Sequence, residues 1–153
     1  MILKYYKMQT FLPYSDFQKS VKVLDSKRLG KQRVECLQII NILEGKQTSR
    51  GWTNHPALKM WAGYEDALKD YANTCIIEWI SRGFKNTMSL YYVPKSYIEP
   101  WWLGNENFHR AMRSRLISKN EVFYLPIFGE IDKEFNDGKY FWPINETKTF
   151  KII

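Results

Sequence analysis

The chain has 153 residues, the length of one ordinary domain, and its 44% hydrophobic and 25% charged residues exclude a disordered or fibrous protein. An excess of 23 Lys+Arg over 16 Asp+Glu gives a net charge of +7, and 16% of the residues are aromatic, a pairing that points toward nucleic acid. No apolar run reaches the ~18 residues of a membrane span, and the opening MILKYYKMQ has no apolar signal stretch, so a cytoplasmic or nuclear protein without membrane contact is expected.

In chain order, Ile2 to Tyr6 reads as a short strand, and Ser15-Asp16 as the N-cap of a short helix reaching about Leu24. Asp25-Ser26 offers a second cap. A longer helix follows from Ser26 to Leu43, with Leu29, Cys36, Ile40 and Leu43 on one face and Gly45 as its stop. Residues 45–52 read as a loop. Thr53 or Asn54, with Pro56 in the first turn, predicts one long helix ending at Arg82 with Gly83 just beyond; Leu58, Trp61, Leu68, Ala72, Cys75 and Trp79 form its apolar stripe. Residues 86–102 turn irregular and aromatic, with Tyr91, Tyr92, Tyr97, Pro94 and Pro100 leading into Trp101-Trp102, a composition that often lines a site. Asn105 caps a third substantial helix, Glu106 to about Ser118, with Phe108, Met112 and Leu116 inward. Asn136-Asp137-Gly138 signals a tight turn before Tyr140-Phe141-Trp142-Pro143, which fits a short hairpin or an extended arm. The expected fold is mainly α: a compact single-domain helical bundle over residues 1–153, with irregular aromatic-rich loops and room for a short C-terminal hairpin.

The charge is unevenly spread. Residues 1–50 carry 10 basic and 4 acidic groups, residues 51–105 carry 5 and 5, and residues 106–153 carry 8 and 7. Two basic islands emerge: Lys19, Lys22, Lys27, Arg28, Lys31 and Arg33, opposed only by Asp25, and Arg110, Arg113, Arg115 and Lys119, opposed only by Glu106. Each suits a solvated helix face, and the two together suit a phosphate-binding surface.

Three constellations could carry chemistry. Arg28, Lys31, Gln32 and Glu35 recur at steps of three and four, so they share a helical face that could hold phosphates around one acid. The same spacing suits a surface Lys31–Glu35 ion pair, and both readings stand. Asn54-His55-Pro56 opens a helix whose unpaired N–H groups favour an anion, so His55 either meets a phosphate or caps and packs against the loop. His109, with Arg110 and Arg113, either contacts a ligand or lies on a solvated face. With two histidines and no third His or Cys at ligand spacing, no metal site is expected; no cofactor loop such as a Walker A or GxGxxG appears either. Cys36 and Cys75 form no CxxC pair and read as structural buried thiols.

Met8 to Tyr14 (MQTFLPY), Leu29 to Glu35 (LGKQRVE), Asn54-His55-Pro56, Trp102-Leu103-Gly104 and the block around His109, Arg113 and Ser114 together resemble the signature blocks of the pyrimidine-dimer DNA glycosylase-like family. The resemblance runs from Met8 to about Pro143. It implies a repair-type protein that binds double-stranded DNA, damaged or modified at a pyrimidine. A fainter similarity to phage endonuclease V implies that Glu35 is the catalytic carboxylate and aligns Glu78, Arg82, Gly83 and Phe84 with the end of a long central helix. In that phage mechanism an N-terminal α-amine attacks the sugar C1′, forms an imine and gives AP lyase activity. Here residue 2 is Ile2, whose bulk is expected to retain Met1, and no positioned amine can be named; Lys27 or Lys31 would be the substitutes.

The leading expectation is therefore a DNA glycosylase in which Arg28, Lys31, Arg33, Arg110 and Arg113 hold phosphates. Gln32, Asn54, His55 and Trp102, with His109, would bind or shape a pocket for the extruded nucleotide. The alternative is a non-catalytic nucleic-acid-binding module on the same scaffold.

Overall fold

A computed structural model describes residues 8–47 and 54–152. The strand expected at Ile2 to Tyr6 lies outside these residues, as do most of the 45–52 loop and Thr53. The described chain is mainly helical, with one two-stranded antiparallel sheet. It packs as two units, residues 8–10 with 26–100 and residues 11–25 with 101–152.

The first unit is built on α2 (Ser26–Leu43) and α4 (Glu65–Ser81), which pack against each other, with the short α3 (Pro56–Lys59) beside α2. From α2, Leu29, Cys36, Ile39 and Ile40 are buried; from α4, Ala67, Leu68, Tyr71, Ala72, Cys75 and Ile76 are. Both cysteines are free and buried, as their helical positions predict. The single long helix expected from residue 54 to Arg82 is two helices. α3 ends after Lys59, a turn follows, and Gly63 takes φ +86°, a backbone state that a residue with a Cβ rarely adopts and that breaks the helical path. The rest of that prediction holds: Arg82 caps α4, and Gly83 follows at φ +87°. Gly30 is required for a different reason. The Trp79 ring lies so close to it that a Cβ would sit 2.8 Å from the ring.

The second unit begins with α1 (Phe17–Lys22), capped by Asp16, whose carboxylate accepts from the Lys19 N–H at 2.8 Å. Its centre is α5 (Glu106–Lys119), capped by Asn105 through the Phe108 N–H, with Phe108, Met112 and Leu116 buried as the pattern predicts. Two short helices that the sequence pattern did not indicate follow, α6 (Glu121–Phe128) and α7 (Glu130–Glu134). Asn120 caps α6 through the Phe123 N–H, but EVFYLPIF is apolar nearly all round and contains Pro126, so no amphipathic period marks it. Asn136 and Asp137 adopt φ +56° and +51°, which is the tight turn expected there. Strands β1 (Phe141–Ile144) and β2 (Thr149–Ile152) then form the hairpin, with Trp142 opposite Lys151 and Pro143 opposite Phe150.

The contact of Trp79 with Gly30 generates a test. Trp79 is pinned: it stacks on Phe84 at 4.3 Å, carries the Arg33 guanidinium over its ring at 4.3 Å and donates its indole N–H to the Lys85 carbonyl. Alanine in a helix gains about 1 kcal/mol over glycine, whereas overpacking costs about 1–3 kcal/mol. We expect Gly30→Ala to lower the midpoint of thermal unfolding; an equal or higher midpoint would show that the ring moves aside freely.

Candidate active site

Glu35 lies in the middle of α2 and is 7% exposed. Its Oε2 accepts the Gln9 backbone N–H at 3.2 Å, and its Oε1 accepts from Gln32 Nε2 at 3.3 Å. The same Gln32 Nε2 donates to the Gln9 carbonyl at 2.7 Å, while Gln32 Oε1 accepts from the Tyr71 hydroxyl at 2.8 Å. Residues 8–10, all buried, are thus held across one face of α2, and Trp61 fixes the far end by donating its indole N–H to Thr10 Oγ1 at 3.0 Å. Trp61 and Tyr71 stack at 6.4 Å, completing the wall behind the amide.

Burial raises the Glu35 pKa above its ordinary value, opposed in turn by the Gln9 N–H, the Lys31 charge, the Gln32 amide and the Arg28 charge. This differs from a surface ion pair between Lys31 and Glu35. Lys31 is exposed, the acid is not, and the cation acts on it through space one turn away. A carboxylate offers about four lone-pair sites, and protein donors fill two here. The acid retains capacity for a water, a sugar or a proton.

The other expected site residues fall into three groups. Lys31 is exposed and Arg28 half-buried on the Glu35 side of α2. Arg33 points to the other flank, where it donates to Asn86 Oδ1 at 2.9 Å and lies over Trp79; burial lowers its pKa. Asn54 is exposed, and His55 is buried as the N-cap of α3, its Nδ1 accepting from the Ala57 N–H at 2.9 Å, which matches the capping alternative.

In the second unit the expected ligand-facing residues serve the interior. Trp102 has no exposed surface and packs on Phe108 at 5.0 Å, so it presents no face to a nucleotide. His109 is buried rather than solvated: Nε2 accepts from the Gly104 N–H at 2.9 Å, so Nδ1 carries the proton and donates to the Leu12 carbonyl at 2.8 Å. Burial lowers its pKa and keeps the ring neutral. Arg113, 8% exposed, donates to Asp132 Oδ2, the Pro13 carbonyl and Glu106 Oε1, each at 2.7 Å. Arg110 pairs with Asp132 at 3.4 Å and lies over Phe135. Arg115 bonds the Gly138 carbonyl and the Tyr140 hydroxyl. The three arginines of the second basic island thus direct their hydrogen bonds to carboxylates, carbonyls and the Tyr140 hydroxyl of the same unit.

Sequence reasoning missed Gln9 and Tyr71. A tyrosine in an apolar helix stripe looks like core, and nothing in its spacing reveals that its hydroxyl reaches Gln32. Among the described residues no group of three or more His, Cys, Asp or Glu is placed to hold a metal, and no helix is long and apolar enough to cross a membrane.

A buried acid with a raised pKa on a helix that also bears cations is the kind of arrangement that clusters at functional sites. The family model described as pyrimidine dimer DNA glycosylase matches residues 8–92, more than half of the sequence, and the chain belongs to that family, whose function is DNA repair and whose substrate is DNA. No curated protein and no solved structure matches the chain.

Charge burial at Glu35 makes a signed prediction. Its folded-state pKa lies above the unfolded value of 4.5, so its contribution to stability is fully present below pH 4.5 and is lost as pH rises through the folded value. Glu35→Gln keeps the shape and one acceptor and removes the charge. It should unfold at a higher temperature than the parent at pH 7.5, with the gap closing as pH falls toward 4.5. A variant less stable than the parent at pH 7.5 would contradict this.

Proposed function

We propose that this protein is a DNA N-glycosylase acting on a damaged or modified pyrimidine in double-stranded DNA, with Glu35 as its catalytic carboxylate. The observation that carries the reading is the buried Glu35 carboxylate, raised in pKa and within electrostatic reach of Lys31 and Arg28. A base inside a duplex is out of reach, so the nucleotide has to leave the stack, and cations on the same helix face would hold its phosphates while it does. As the bond from C1′ to the base nitrogen breaks, positive charge builds on the sugar. An ionised Glu35 stabilises that charge and takes the proton of the water that adds to C1′; the electron pair of the broken bond leaves with the base.

A raised pKa suits this task, because a carboxylate too easily ionised is a weak base. In the lyase route an α-amine, partly neutral near pH 8, would replace water at C1′ and form an imine. The water route needs no residue beyond those described.

Incubation with duplexes that are ultraviolet-irradiated, alkylated, uracil-containing or abasic tests the reading. We expect base release from at least one pyrimidine lesion, reduced about a hundredfold or more in Glu35→Gln. Turnover of none of them, or full activity in that variant, would remove the catalytic claim. Borohydride trapping of a covalent complex would assign the imine route, and its absence during turnover the water route.

Binding gives a second check, read from salt dependence. Lys31→Ala should reduce the log–log salt slope of duplex binding by about 0.9, the value for one phosphate contact. An unchanged slope would take Lys31 off the DNA.

A further inference from the structure

We propose that Tyr71 and Gln32 form a positioning relay for Glu35: the Tyr71 hydroxyl sets the orientation of the Gln32 amide, and that amide holds both the carboxylate and the backbone of residues 8–10 in place. The inference rests on the glycosylase reading for its effect on turnover, but not for its effect on Glu35 itself.

A glutamine side chain has one end that donates and one that accepts, and the two are nearly equal in shape. Near Glu35 the choice matters. With Nε2 toward the carboxylate the contact is attractive; with Oε1 there, two acceptors would face each other unless the acid were protonated. Tyr71 and the Gln9 carbonyl together decide between these. Its hydroxyl donates to Gln32 Oε1 at 2.8 Å, which turns Nε2 toward Glu35 Oε1 at 3.3 Å and the Gln9 carbonyl at 2.7 Å. Gln9 closes the circuit by donating its own N–H to Glu35 Oε2 at 3.2 Å. Three residues from three parts of the chain thus fix one carboxylate.

Burial pushes the Tyr71 phenol well above its ordinary range, so it remains a donor across the working pH range. The Gln32 hydrogen bond is one of the interactions that hold the Glu35 pKa down against burial. Without the Tyr71 hydroxyl the amide keeps the Gln9 carbonyl but loses the Tyr71 bond on its Oε1, its hold on Glu35 weakens, and the protonated form of Glu35 gains. The groups that face Glu35 are Gln9, Gln32, Lys31 and Arg28, with the Cys36 thiol and the Tyr71 phenol also within its electrostatic reach. Tyr71→Phe leaves the other five unsubstituted and preserves the ring that stacks on Trp61.

The test combines a titration with a rate. The Glu35 carboxyl is followed by carbon-13 NMR in the parent, Tyr71→Phe and Gln32→Met, with Glu35→Gln assigning the resonance, and base release is measured against pH in the same proteins. We expect both variants to move the Glu35 midpoint upward and to move the rising limb of the pH profile with it. Tyr71→Phe should lower kcat about fivefold near pH 7, the weight of one hydrogen bond between neutral groups, with KM little changed. The double variant should lose less than the product of the single losses, because both act through one amide. A midpoint and a profile that stay put in Tyr71→Phe would overturn the relay while leaving the glycosylase intact. A shifted midpoint in a protein that turns over no lesion would uphold the relay and overturn the glycosylase.

Discussion

Keeping the Glu35 carboxylate out of water is the constraint on which the arrangement of residues 8–10 and 26–100 depends. An acid removed from solvent requires either a direct counter-charge or a set of polar donors. Exposed acids of this chain take the first solution, a direct counter-charge, and the buried Glu35 takes the second. Glu44 meets Lys69 at 2.6 Å and Glu106 meets Arg113 at 2.7 Å, and each direct pair holds its carboxyl below the ordinary value. Glu35 receives two neutral N–H donors, with Lys31 one turn off and Arg28 two, so burial wins and its pKa rises. The first solution locks an acid in its charged form. The second leaves it able to exchange a proton, which is the property that a catalytic acid or base needs.

The distribution of positive charge follows the same division of labour. Net charge suggests a broadly basic surface, but the two islands behave differently. On α5 the guanidinium groups turn inward: Arg113 joins Asp132, Glu106 and the Pro13 carbonyl, and Arg115 joins the Gly138 carbonyl and the Tyr140 hydroxyl. Arginine suits this because its planar fork satisfies several acceptors at once. On and before α2 the exposed cations are lysines, Lys19, Lys22, Lys27 and Lys31, compact charges on flexible stems. The residue type thus separates the structural island from the solvent-facing one.

Much of this was legible in the sequence. Short-range rules marked the caps at Asp16 and Asn105, the stop at Gly83 and the left-handed turn at Asn136-Asp137, because each is settled within four residues. The mainly helical fold and the closing hairpin followed from periodicity and turn chemistry. Glu35 was singled out by resemblance and by its place on a cationic face, yet spacing alone could not tell a surface ion pair from a buried acid. That distinction depends on what covers the helix, and the cover is Gln9, 26 positions earlier. His109 and Arg113 show the converse. A helical pattern places them off the apolar stripe, but their partners Leu12 and Pro13 stand about a hundred residues away, and a local pattern has no access to contacts of that range.

The family match spans the whole hydrogen-bond network around Glu35. Residues 8–92 include every member of the network, from Gln9 through Gln32 and Glu35 to Tyr71, and also Lys31 and Arg28. Trp102, His109, Arg110 and Arg113 lie beyond it, and these are the residues whose bonds are spent on packing and internal pairing. The match begins at Met8, immediately before the residue whose N–H meets the carboxylate. Shifting residues 8–10 by one position would take the Gln9 N–H away from Glu35 and the Gln9 carbonyl away from Gln32. The register of residues 8–10 on α2 is therefore as much a part of the site as the acid itself.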